Sequence, residues 1–162
     1  MTFNDIHIRT HFEPGDIGYI IFLHGDYYDF GLMFEVYVAQ TLADFYKNMN
    51  PEKERIWIAE HQGKIIGSIA LKNTNDEAQL RYFFIKEEYR GIGLGKKMLD
   101  LFMAFMQECG YQSSFLLTEE KLKTALHLYT KYGYKFVSSK DNGMGLIEQR
   151  FEKSLKHLDL EN

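Results

Sequence analysis

The run Ala-Gln-Leu-Arg-Tyr-Phe-Phe-Ile, residues 78–85, is dense enough in apolar and aromatic side chains to make a buried strand, and an amphipathic helix begins shortly after it. Between them lie Gly91, Gly93 and Gly95 at alternate positions, with Arg90, Lys96 and Lys97 close by. A strand that turns into a helix through glycine offers backbone N–H groups and the positive end of the helix dipole to an anion, and the missing side chains let it come close. Phosphate suits such a turn. Two familiar phosphate loops are excluded by spacing. A nucleoside triphosphate loop needs Gly-x-x-x-x-Gly-Lys and then Ser or Thr, but counting back from Gly95-Lys96 puts Arg90 at the first glycine and Lys97 at the hydroxyl. A dinucleotide fingerprint needs Gly-x-Gly-x-x-Gly, yet its third glycine falls on Lys96 or Met98. Arg-x-x-Gly-x-Gly remains, Arg90 to Gly95. Taken alone it also fits a plain glycine turn that caps the helix.

The rest of the chain supplies the context. Ile6 to His11 alternates like a strand, and Pro14-Gly15-Asp16 opens a helix. A second helix is expected from about Leu32 to Lys47, with Met33, Val36, Tyr37, Leu42, Phe45 and Tyr46 on its apolar side. Arg55 to Glu60 and Lys64 to Leu71 read as a hairpin around His61-Gln62-Gly63, and Gly67 inside the second run signals a bulge or a close backbone approach. Ala78 to Ile85 follows a turn at Asn73 to Asp76. After the glycine loop, Leu94, Met98, Leu101, Phe102, Phe105, Met106 and Cys109 mark a helix face that Gly110 ends. Ser114 to Thr118 is a short strand, parallel by the crossover rule to the strand before the loop. Thr118 is placed to cap a helix carrying Leu122, Ala125, Leu126 and Tyr129, which Gly133 stops. Tyr134 to Ser138 and Leu146 to Phe151 form a last hairpin through Asp141-Asn142-Gly143, and residues 153–162 read as a frayed or short helical tail.

The loop at Arg90 to Gly95, followed in order by Ala125-Leu126-His127-Leu128-Tyr129-Thr130-Lys131-Tyr132-Gly133-Tyr134, resembles the two landmarks of the GCN5-related N-acetyltransferases, the GNAT family. The likeness covers nearly the whole chain. It implies an α/β (α+β) GNAT fold, a mixed, mostly antiparallel sheet of about seven strands flanked by about four helices, within a single acetyltransferase domain over residues 1–162. The segment Ile8 to Tyr28 is also similar to the acetyltransferase half of bacterial fusions with a MarR-type DNA-binding domain, for which this chain has no room. By the resemblance, acetyl-CoA is the acyl donor. Phe84 and Ile85 supply main-chain contacts to its pantetheine arm, and Arg90, Gly91, Ile92, Gly93, Leu94, Gly95 and Lys96 hold its pyrophosphate. An amine attacks the acetyl carbonyl directly, and Tyr129 stands where the family keeps its general acid, a phenol whose ordinary pKa of about 10 leaves it protonated at neutral pH. Packing is the other role open to Tyr129, as it is for any tyrosine on an apolar helix face.

The general base is not legible. The strand before the loop presents Gln79, Arg81 and Phe83 on one alternating face and Leu80, Tyr82 and Phe84 on the other, with no Glu among them. Glu60, Glu35, Asp26, Asp29, His24, His127 or water stay open. Cys109 lies on an apolar stripe and reads as an inert thiol, which favours direct transfer over an acetyl-cysteine. As the only cysteine it excludes an internal disulfide and a cysteine metal cluster, and no metal is implied. A formal net charge of -4 speaks against nucleic acid as partner. No stretch is long and apolar enough for a membrane span and the start lacks a secretory pattern, so no membrane partner and a cytoplasmic location are expected. From Thr10 to Tyr46 there is no Lys or Arg, while acidic and aromatic residues crowd together. That suggests a cationic amine acceptor on a small molecule, peptide or protein lysine, or simply two amphipathic helices. The aromatic content also allows a homodimer. A non-catalytic acyl-CoA sensor or interaction module is the alternative to an enzyme, supported by the missing strand carboxylate.

Overall fold

The computed structural model describes residues 2–143 and 145–155. Seven strands and four helices follow the order β1 (Ile6–Arg9), α1 (Asp16–Tyr28), α2 (Leu32–Asn48), β2 (Arg55–His61), β3 (Lys64–Thr74), β4 (Glu77–Ile85), α3 (Leu94–Glu108), β5 (Ser113–Glu119), α4 (Lys123–Lys131), β6 (Lys135–Asp141) and β7 (Ile147–Ser154). The strand order in the sheet is β1-β2-β3-β4-β5-β7-β6. This is the mixed, mostly antiparallel sheet that the resemblance implies, with β4 and β5 parallel and β1/β2, β2/β3, β5/β7 and β6/β7 antiparallel. The chain packs as two compact units: residues up to Lys72 with Arg81–Cys109, and Asn73–Leu80 with the chain from Gly110 on.

In the first unit β2 is buried on both faces, which is why its Ile-Trp-Ile-Ala run is continuously apolar rather than alternating. Ile56 and Ile58 pack with Ile20, Leu42 and Phe45 of α1 and α2, while Trp57 turns the other way onto Phe102 and Phe105 of α3. The buried stripe of α2 is Val38, Leu42 and Phe45, extended by the half-buried Phe34 and Met49. The expected face was displaced: Met33 is 64% and Tyr46 53% exposed. Two apolar stripes fit the helical period in this sequence, and the 34–38–42–45 stripe meets the sheet. On α3, Leu99 is buried where Leu101 was expected.

A buried ion triad closes the β1 end. The Arg9 guanidinium donates to both Asp16 carboxylate oxygens (2.7 and 2.9 Å) and to Glu60 (2.9 Å), tying β1 to the first residue of α1 and to β2. Glu60 is therefore occupied as a counter-ion.

His24 of α1 sits among the rings of Tyr28, Tyr82 and Phe84 and is 4% exposed. Its Nδ1 lies 2.8 Å from the Ile20 carbonyl, which makes Nδ1 the protonated nitrogen. Burial pushes the imidazole down from 6.5 to about 4, against a smaller opposing pull from that carbonyl. The folded state thus holds this proton less tightly than the unfolded chain, so its contribution is complete above pH 6.5 and is lost as pH falls towards 4. The expected loss over that window is on the order of 3 kcal/mol. Urea titrations at falling pH should show a shallower decline for His24→Phe, and an equal slope in both proteins would assign the decline to other groups.

In the second unit β5 pairs with β7 throughout, and with β4 at Ala78, Gln79 and Leu80. Ser114 donates to the Ala78 carbonyl (2.6 Å) and shares a hydrogen bond with the Tyr134 hydroxyl (2.7 Å), all buried. Arg150 stacks over Phe115 and pairs with Glu77. Thr118 belongs to β5, opposite Gln149, and not to a helix cap; α4 starts later, at Lys123. Here the cross-strand partner outweighs the local capping preference. The expected tail likewise yields to the sheet, because Lys153 and Ser154 continue β7. Residues 156–162 of that tail lie outside the described residues.

Candidate active site

β4 ends at Ile85, a short turn over Glu87–Tyr89 follows, and α3 starts at Leu94. Gly91 and Gly93 take φ +75° and +91°, left-handed conformations that a side chain would strain, and a Cβ at either would meet nothing within 4 Å. The loop surface is open. Gly93 caps α3, its carbonyl accepting from the Lys97 amide at 3.0 Å. Helix geometry leaves the first amides, those of Leu94, Gly95 and Lys96, without intrahelical acceptors. Together with the dipole they form an anion seat that fits a phosphate.

The basic residues around it are placed unevenly. Arg90 is exposed but engaged within its own unit: its guanidinium donates twice to the Ile85 carbonyl (3.2 Å each) and covers the Tyr27 ring, and its amide donates to the Glu87 carbonyl. Lys96 pairs with Asp100 one turn along α3 at 2.8 Å, a bond that an exposed lysine exchanges easily. Phe84 turns its carbonyl towards Gly67 of β3. Tyr82 has φ +52°, a left-handed backbone inside β4, while Tyr82 and Phe84 keep the buried side expected of them and Arg81 and Phe83 are half-buried.

Tyr129 is buried near the end of α4, and its ring meets Tyr134 edge to face. Of the proposed bases, Glu60 is spent on Arg9, Glu35 packs against Gly25, His24 is enclosed, and Asp26, Asp29 and His127 are exposed. One carboxylate escaped the sequence reading. Glu119 ends β5 opposite Glu148, and burial first and that neighbour second push its carboxyl up, the direction a proton acceptor working near neutral pH needs. Its Oε2 is buried with no partner among the described residues. Only the β5/β7 register, which sets it beside Glu148, singles it out. Cys109 is half-buried, its thiol pushed up mainly by burial and directed at the Glu52 carbonyl, which suits an unreactive sulfur. Among the described residues no cluster of His, Cys, Asp and Glu could hold a metal, and no helix is long and apolar enough to cross a membrane.

The aromatic, acid-rich stretch already carries cations of this chain. Lys86 lies by Tyr19, Arg90 over Tyr27 and Arg81 by Tyr37. Those ring faces are therefore not free for an incoming cation.

Residues 17–134 match the model of the acetyltransferase (GNAT) family. N-acetyltransferase family 8 member 2 of Rattus norvegicus is 28% identical over 134 residues, an alignment covering 74% of this chain and 59% of that protein. The chain spans little more than half the length of the curated relatives it matches first. Among solved structures, an acetyltransferase from Streptococcus agalactiae superposes with a TM-score of 0.76 at 25% identity, over 94% of this chain and 100% of that one. A GNAT family acetyltransferase from Elizabethkingia anophelis with acetyl-CoA bound gives 0.67 at 15% identity, over 94% and 99%, a likeness of fold alone.

Proposed function

Since the chain belongs to the GNAT family of acetyltransferases, we propose that it is an N-acetyltransferase that moves the acetyl group of acetyl-CoA directly to an amine, working as one acetyltransferase domain. The open glycine turn at the start of α3 carries this reading, because it offers a charged pyrophosphate amides rather than side chains. The amides of Gly91 to Lys96 would hold the pyrophosphate, and the end of β4 at Ile85 would line the pantetheine arm. Arg90 would act on the loop through Ile85 and Tyr27 more than on the phosphate itself.

Acetyl-CoA supplies a thioester: a C–N bond forms at its carbonyl carbon as the C–S bond breaks, leaving CoA as a thiolate. Tyr129 would give that sulfur its phenolic proton. An ammonium acceptor gives up one proton before it attacks and a second as the amide forms; one of the two goes to solvent and the other restores the Tyr129 phenol through solvent, so the products are the free thiol, the amide and one proton. The acceptor is an amine on a small molecule, peptide or protein. A cationic character for it rests on the acidic residues of α1 and α2, since the rings carry internal cations. The homodimer, the cytoplasmic location and the likeness of the Ile8 to Tyr28 segment to MarR fusions stay readings of the sequence.

Calorimetry with acetyl-CoA, followed by a thiol-release assay against a panel of amines, tests this. We expect binding, lost roughly tenfold or more in Gly93→Val, whose side chain is strained in the left-handed cap. Binding without thiol release across the panel would favour the sensor. No binding would remove the donor assignment.

A further inference from the structure

We propose that Ser68 and Gly67 of β3 are positioning residues for the donor arm, holding the backbone of Tyr82 to Ile85 in the shape against which acetyl-CoA binds. This rests on the donor reading above. Tyr82 adopts φ +52° inside a strand, and a left-handed conformation costs an L-residue with a bulky side chain energy that the surroundings must overcome. The surroundings that do so are specific. The Ser68 hydroxyl, 2% exposed as a residue, donates to the Tyr82 carbonyl at 2.6 Å. The next carbonyl, of Phe83, accepts from the Tyr28 hydroxyl at 2.7 Å, and that of Ile85 from Arg90. The Lys86 amide then returns to β3 by donating to the Ile66 carbonyl at 2.8 Å.

Between the Ser68 and Ile66 attachments, β4 runs from Tyr82 to Lys86, a longer stretch of chain over the same span of β3. The excess has to be accommodated, and Gly67 does this. A Cβ there would stand 2.8 Å from the Phe84 carbonyl oxygen, closer than real Cβ atoms come. Glycine thus admits the Phe84 carbonyl towards β3. Successive carbonyls of an extended chain point to opposite edges, so those of Phe83 and Ile85 turn to the edge away from β3, where Tyr28 and Arg90 donate to them and along which an extended ligand would lie. Ser68 fixes where the irregularity begins, and Gly67 lets it pass.

Calorimetry with acetyl-CoA on Ser68→Ala, Ser68→Thr and Gly67→Ala needs no knowledge of the acceptor. Ser68→Ala should weaken binding roughly five- to tenfold, the scale of one lost buried hydrogen bond, and Ser68→Thr, which keeps the hydroxyl, should return it to within about twofold. Gly67→Ala should weaken it at least as much as Ser68→Ala. Measured well below each melting temperature, a purely structural loss would lower the melting temperature and leave the affinity alone. Wild-type affinity in Ser68→Ala, or no recovery in Ser68→Thr, overturns the proposal, and the Ser68 pair decides if Gly67→Ala does not fold. A wild-type protein that binds no acetyl-CoA is a different outcome: it removes the donor reading, and this proposal with it.

Discussion

Arg9→Met should cost about 3–5 kcal/mol of stability, the usual penalty for removing one partner of a buried ion pair. Arg9 is 5% and Asp16 6% exposed, and the guanidinium meets both oxygens of Asp16 and one of Glu60 within 2.9 Å. Methionine fills a similar volume but leaves two carboxylates facing each other without a cation, one of them in the interior. Asp16 Oδ2 also accepts from the Glu13 amide at 2.6 Å, so the carboxylate that loses its cation is the one that holds the entry to α1. Against a typical total of about 5–15 kcal/mol for a domain, such a loss leaves a protein that unfolds early, with the midpoint lowered by about 10 °C. Urea and thermal unfolding measure it. The double variant Arg9→Met with Asp16→Asn should regain part of the loss, because it removes one orphaned charge. If Arg9→Met loses less than about 1 kcal/mol, the triad is worth no more than an exposed pair.

That triad shows what one sequence alone hides. Arg9, Asp16 and Glu60 are ordinary surface residue types, and only the antiparallel β1/β2 register, which sets His7 against Glu60, brings the third to the other two. The same holds for Glu119 and Glu148, which become a pair through β5 and β7. Local patterns were legible where local physics decides. Gly91 and Gly93 take the left-handed backbone that the glycine turn required, and Gln62-Gly63 makes the two-residue hairpin with both residues at positive φ. The close approach suspected at Gly67 is present against Phe84. Where two local choices competed, tertiary contacts chose. Thr118 was equally suited to a cap or a strand and went to the strand because Gln149 lies opposite; α2 could show either of two stripes and showed the one that fills the space over Ile56 and Ile58. Tyr82 was not legible at all, since its left-handed backbone contradicts its own preference and its carbonyl is met by a residue of another strand, Ser68.

Tyr129→Phe should lower kcat by roughly a hundredfold or more, the range for losing a positioned proton donor, while acetyl-CoA affinity stays within about twofold. The substitution is clean because the ring is held by more than its hydroxyl. The Tyr129 carbonyl accepts from the amides of Tyr132 and Tyr134 at 3.1 Å each, and the ring stands edge-on to Tyr134 with centroids 6.2 Å apart. Tyr134 is in turn anchored through Ser114 to the Ala78 carbonyl of β4. Phenylalanine keeps all of these and deletes one oxygen, so a fall in kcat without a fall in stability reports proton donation to the leaving thiolate. Tyr134→Phe makes the opposite control. It removes a buried hydrogen bond and should cost about 1–3 kcal/mol of stability with little change in kcat. The two variants separate chemistry from support: a Tyr129→Phe enzyme that turns over normally would move the acid elsewhere, and a Tyr134→Phe enzyme with the larger kinetic defect would give Tyr129 a packing role only.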